Sequence, residues 1–158
     1  MPADELLYYP IMKHFLIIIL CSTLFLSCEQ SIEDRLVGTW QNTSLDVTMA
    51  MPDGQDSLMH IEQGQWEEVL RIKPIVTRYT VDGKFVSDYY TPEGKSLGSE
   101  IGDWEIRNDS LIFKSTNYKW AYKLTFDGNK ARFTSLLDWD QDGLADDLYD
   151  GWQEKLEK

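Results

Sequence analysis

"YKWAYKLTF", Tyr118–Phe126, decides the fold of this chain. Tyr118, Trp120, Tyr122, Leu124 and Phe126 fall on one side of a two-residue repeat, with Lys119, Lys123 and Thr125 on the other. Successive side chains of a strand point to opposite faces, so this spacing puts one aromatic face in a core and the other in water. The stretch is a strand with one wet side.

The same period recurs on either side. "ARFTSLL" (131–137) sets Phe133 and Leu137 against Arg132 and Thr134, and "DWEIRNDSLIF" (103–113) sets Trp104 and Ile106 against Asp103, Glu105 and Arg107 before turning into Leu111 and Phe113. Between such runs stand pairs that tolerate positive φ: Asp53-Gly54, Asp82-Gly83, Glu93-Gly94, Asn108-Asp109, Thr116-Asn117, Gly128-Asn129 and Asp142-Gly143. The pattern predicts strands at about 37–49, 57–63, 75–81, 84–91, 101–107, 110–115, 118–126, 130–138 and 148–156. "WEEVLRIK" (66–73) reads either as a short helix stopped by Pro74 or as part of a strand. The expected fold is therefore all-β, an antiparallel up-and-down barrel of about 8–9 strands, because closure removes exposed edges. A two-sheet sandwich is the alternative.

The N-terminal segment has another character. "MKHFLIIILCSTLFLSCEQ" opens on Lys13 and His14 and runs apolar from Phe15 to Leu26. That run is shorter than the roughly 18–20 residues a membrane span needs, and its layout is that of a secretion signal. The acidic residues in "MPADELLYYPI" (1–11) do not suit the start of a signal, so translation is expected to begin at Met12. The ending Leu26-Ser27-Cys28 resembles the lipobox of bacterial lipoproteins. The resemblance implies removal of residues 1–27 and acylation of Cys28 with palmitate-type chains. Residues 28–35 would then be an acidic tether, or an acidic export signal, ahead of a domain covering 36–158.

Several functions are disfavoured. Cys28 would be the only cysteine after processing and His60 the only histidine, which leaves no thiol catalysis, no multi-histidine zinc site and little basis for a Ser-His-Asp arrangement. The whole chain carries a formal net charge of −12, so its surface repels nucleic acid and anionic headgroups. Nucleic acid is not an expected partner, and the membrane is to be reached through lipid. The acid pairs Glu67 with Glu68 and Asp103 with Glu105 read as solvated surface charge, and His60 as a surface or rim residue. No enzyme activity is expected.

"LVGTW" (Leu36–Trp40), at the head of the first strand, resembles the Gly-x-Trp motif that opens lipocalin-like domains. "GDWEI" followed by "NDSLIF" is similar to the small lipocalin-like lipoproteins of Gram-negative bacteria, whose barrels are of the calycin type. The resemblance spans nearly all of Leu36–Lys158 and implies anchoring at the outer membrane, on its periplasmic face or at the cell surface. It implies that Gly38 permits a tight entry to the strand and that Trp40 closes the barrel floor. It also implies a basic residue over that tryptophan, for which Arg132 and Lys155 are both candidates. A small apolar molecule in the lumen is the implied ligand, with Trp40, Trp104, Trp120, Tyr122 and Phe133 as candidate lining. The alternatives are that these aromatics fill the barrel, or that the barrel is a scaffold for protein contacts.

"DWDQDGLADD" (138–147) holds five aspartates in ten residues. Asp138, Asp140 and Asp142, the Leu144 carbonyl and Asp146 match positions 1, 3, 5, 7 and 9 of a calcium loop, with Gly143 at the turn. Tyr149 stands where the final bidentate acid belongs, and Asp147 or Asp150 would have to replace it. A weak structural Ca2+ site and a solvated acidic turn are both open.

Overall fold

The computed structural model describes residues 30–116 and 118–157. The signal segment and Cys28 lie outside the described residues. The strands are β1 (Gly38–Met49), β2 (Ser57–Ile61), β3 (Val76–Tyr79), β4 (Lys84–Tyr90), β5 (Ser96–Arg107), β6 (Ser110–Lys114), β7 (Lys119–Asp127), β8 (Lys130–Leu137) and β9 (Asp147–Lys155), with short helices α1 (Ile32–Leu36) and α2 (Trp66–Val69). Neighbours pair antiparallel from β3 through β9, and β9 returns to β1 over Trp40↔Lys155 to Thr48↔Leu148. This is a closed eight-strand barrel, consistent with a calycin-like fold, with β2 as an extra strand.

The extra strand arises because two strands share one edge of β1. Its first half pairs with β3 (Gly38↔Tyr79 to Gln41↔Val76) and its second half with β2 (Leu45↔Ile61 to Met49↔Ser57). At the break the Asn42 amide donates to the Ile75 carbonyl at 3.0 Å, and the Trp66 indole N–H donates to the Thr43 carbonyl at 3.0 Å. Residues 62–75 thus patch the wall where neither strand covers it, and they carry α2. The segment read as helix or strand is a single helical turn, ending well before Pro74.

The two ends of the barrel differ. At one end the connections are tight: 80–83, the Asn108-Asp109 pair and the Gly128-Asn129 pair. Asn108 and Asp109 both take φ near +55° (50° and 59°), as a two-residue hairpin turn requires. At the other end lie 50–56, 62–75, 91–95, residues 115, 116 and 118, and 138–146.

The tight end is sealed. Helix α1 begins inside the segment read as a tether, capped by the Ser31 hydroxyl accepting from the Asp34 amide, and delivers Leu36 into the core. Trp40 is 1 % exposed, and its indole N–H donates to the Leu36 carbonyl at 2.6 Å. Of the two basic candidates, Lys155 takes the place over the tryptophan. Its Nζ lies 5.2 Å from the Trp40 ring and donates to the Arg35 carbonyl at 2.7 Å. Arg132 lies instead against Trp152 and pairs with Asp150. Gly38 is required where it stands: its φ is +138°, and a Cβ there would come within 2.6 Å of the Lys155 side chain.

Candidate ligand cavity at the open end of the barrel

A cavity of about 360 Å³ runs from the middle of the barrel to the open end. That is within the range of small-molecule pockets, near its lower limit. Its floor is polar. Thr77 and Ser87 face each other across the β3–β4 pair with their hydroxyls 2.9 Å apart, and the Gln153 amide donates to Asn42 Oδ1 at 3.2 Å. Gln153 is 9 % exposed, and its Oε1 has no hydrogen-bond partner among the described residues. A buried acceptor without a donor costs free energy, and such groups in native proteins have a reason.

Above the floor the wall is aromatic. Phe113, Tyr122 and Tyr149 meet edge to face, with ring centroids 5.6 and 5.5 Å apart, and Phe133 packs against Tyr122 at 6.1 Å. Burial, with smaller contributions from neighbouring phenols, holds the Tyr79 and Tyr122 hydroxyls well above their ordinary range, and burial does the same for Tyr149. These hydroxyls are donors at any physiological pH. The patch segment supplies the aliphatic wall through Leu70, Ile72 and Ile75, with Trp66 behind them.

The rim is built by the ends of β4, β5 and β7. Tyr118 and Trp120 stack at 3.7 Å with 16° between their planes. Tyr89 and Glu100 complete it, with the phenols of Tyr89 and Tyr118 beside the Glu100 carboxylate. Burial first, and then the nearby Glu100 carboxylate, raise both phenols.

The structure divides the predicted lumen residues. Trp120, Tyr122 and Phe133 line the cavity. Trp40 and Trp104 do not: they are buried in the packed core below it, Trp104 edge-on to Tyr79. Trp120 is also more exposed, at 38 %, than its place in the period-two pattern leads one to expect. It stands one residue into β7, where the inward face already opens to the mouth.

Other cavity residues escaped the sequence reading. Glu100 and Gly98 continue the inward parity of Gly102 and Trp104, but β5 begins at Ser96 and not near residue 101. "SLGSE" has no apolar alternation, because this part of the β4–β5 hairpin is largely exposed on both faces. Trp66 and Trp139 enter from connections, which no strand period can place.

The acidic loop sits at the same end, and Trp139 within it reaches the cavity. Its hub is Asp147, which is 0 % exposed and accepts from three backbone amides: Ala50 at 2.9 Å, Trp139 at 2.7 Å and Asp140 at 3.1 Å. Burial alone would raise this carboxyl, but the three amide bonds together outweigh it and hold it below the usual range. Carboxylate oxygens of Asp138, Asp140 and Asp147 come within 4.8 Å of one another. That spacing fits a single hard cation bound through oxygen. Asp142 and Asp146 are not in this trio, and the backbone of Leu144 donates its amide to Asp142 at 2.8 Å. The predicted ligand set and the observed cluster share Asp138 and Asp140. Asp147 takes the role the spacing gave to later positions, because the first residue of β9 lies directly under the loop. Asp150, the other substitute considered, is engaged by Arg132.

The remaining polar candidates are surface groups. His60 is exposed and pairs with Asp46 and Glu62, whose hydrogen bonds raise its pKa. Asp103 pairs with Lys84, and Glu105 with Arg107. Scanned against protein-family models and searched against curated proteins, the chain gave no match.

Proposed function

We propose that this chain is a membrane-anchored, lipocalin-like lipoprotein whose barrel, without catalysis, binds a small apolar molecule through its open end. The observation that carries the binding reading is the cavity of about 360 Å³ beside a filled core. Its walls are aromatic and aliphatic, which favours an apolar ligand body. The Gly38–Trp40–Lys155 arrangement supports the lipocalin-like assignment. The anchor rests on the Leu-Ser-Cys ending alone. One acyl chain binds membranes only marginally, and further chains make anchoring stable.

Two experiments test these parts separately. Cys28→Ala should release the protein from membranes; retention after a carbonate wash would sink the anchor. Trp66, Trp120 and Trp139 line the cavity, so tryptophan emission should respond saturably to apolar alcohols. No saturable response across a panel of chain lengths would favour the second reading, a filled barrel that mediates protein contacts. An observation that favours it is the outward Leu136↔Leu148 pair across β8 and β9, both exposed.

The Asp138, Asp140 and Asp147 trio supports a further, structural ligand, calcium bound weakly at the loop that delivers β9.

A further inference from the structure

Among the described residues lining the cavity, Glu100 is the one that carries a formal charge at neutral pH. No lysine, arginine or histidine lines the cavity or forms an ion pair with Glu100 among the described residues. Its neighbours are phenols and an indole, with the Tyr118 and Trp120 rings stacked at the mouth. Aromatic faces attract cations through their quadrupoles, most strongly for tryptophan, and a carboxylate among such rings adds a full opposite charge. Two phenol donors leave a carboxylate with acceptor capacity unused. An anionic head group would meet the opposite: a like charge, no basic partner and a strongly acidic chain.

We propose that the cavity selects a cationic amphiphile, an apolar amine or quaternary ammonium, whose head group sits at the rim between Glu100, Tyr89, Tyr118 and Trp120. The proposal rests on the binding reading of this cavity and names its ligand class. The apolar tail runs inward past Tyr122 and Phe133, and the charge stays at the half-open mouth, where its desolvation is least costly. A fatty acid or anionic lipid is disfavoured by the same geometry.

The test uses three probes with one tail: octyltrimethylammonium, octanol and octanoate, titrated into the purified full chain at 150 mM salt and followed by tryptophan emission. The cation should bind roughly tenfold tighter than octanol, and octanoate more weakly than octanol. Glu100→Gln should bring the cation to within about twofold of octanol, read as the ratio of the two affinities in the same variant. That variant also separates the local site from general attraction to an acidic protein. Trp120→Leu, at the rim, should lower the cation-to-octanol affinity ratio by about threefold, followed through Trp66 and Trp139 emission, and it decides the matter if Glu100→Gln fails to fold. If octanol saturates but the cation is no tighter, or the preference survives Glu100→Gln, the head-group assignment is overturned and the cavity reading stands. If none of the three saturates, the cavity reading falls and the assignment with it.

Discussion

The two ends of this barrel are made from similar residues and put to opposite uses. At the closed end Leu36, Trp40, Phe85 and Trp104 are packed out of solvent, and Lys155 and α1 are bolted over them. At the open end Tyr118 and Trp120 stack on each other with solvent beside them, and a patch segment replaces regular strand. Tryptophan occurs at both, so composition does not separate them. What separates them is the cover: α1 and Lys155 pack over Trp40 at one end, whereas the Tyr118–Trp120 stack at the other is left partly in solvent.

The sharpest way to break this comparison is to remove one tryptophan from each end. Trp40→Ala should cost about 3–5 kcal/mol, as a large-to-small change in a packed core does. Trp120→Ala, already partly in water, should cost under about 1 kcal/mol. Chemical denaturation of both variants gives the numbers, and equal losses would mean that the open end is packed like the closed one.

Between the two ends lie the buried tyrosines of the cavity wall, and alkaline pH probes whether they are dry. Burial raises the native pKa of Tyr79 and Tyr122 above the unfolded value of about 10. Below pH 10 both states hold the proton and stability is unaffected. Above it the unfolded state ionises first, so stability falls by about 1.4 kcal/mol per pH unit for each phenol, or about 3 for the pair. Tyr79→Phe with Tyr122→Phe should flatten the decline. A double variant as steep as wild type would mean that these two hydroxyls titrate freely in the native cavity.

A smaller effect tests the closed end alone. Lys155→Met removes a cation from the Trp40 ring and a hydrogen bond from the Arg35 carbonyl, at a cost of about 1–2 kcal/mol. Arg132→Met, which breaks a surface ion pair with Asp150, should stay within about 0.5 kcal/mol. Reversal of that order would mean that Arg132, and not Lys155, is the basic residue on which the barrel depends.

The barrel itself was legible because its signals are local. Alternation in "YKWAYKLTF" and turn pairs such as Asn108-Asp109 do not depend on distant parts of the chain. The strands found match those predicted to within a few residues, except where "SLGSE" extends β5 with no buried face to leave a pattern. The site was half legible. Parity identified Tyr122 and Phe133, but it cannot say how far down the lumen a residue lies, so Trp40 and Trp104 were grouped with them. Glu100 became visible only once β5 was known to start at Ser96. The choice between Lys155 and Arg132 needed the β1–β9 register, a pairing across more than a hundred residues.

The smallest expected effect concerns the acidic loop. Asp147 already satisfies its charge with three amides, so a cation is not needed to hold that carboxylate in place. Asp138 and Asp140 are exposed, and bringing them within 4.8 Å of Asp147 costs Coulomb repulsion that a bound cation would relieve. Extracellular calcium modules bind with Kd on the order of 10⁻⁴–10⁻³ M. At a Kd of about 1 mM, about 5 mM calcium contributes about 1 kcal/mol by mass action, a rise of a few degrees in melting temperature. Magnesium should do less, since its smaller shell demands stricter geometry. Asp138→Asn with Asp140→Asn should abolish the rise and leave the calcium-free melting temperature unchanged or slightly higher, because the repulsion goes with the charges. Asp142→Asn, outside the trio, should leave the calcium response intact. A melting temperature indifferent to calcium would make the loop a carboxylate-capped turn, fastened through Asp147 to the start of the β1–β2 connection and through Trp139 to the core.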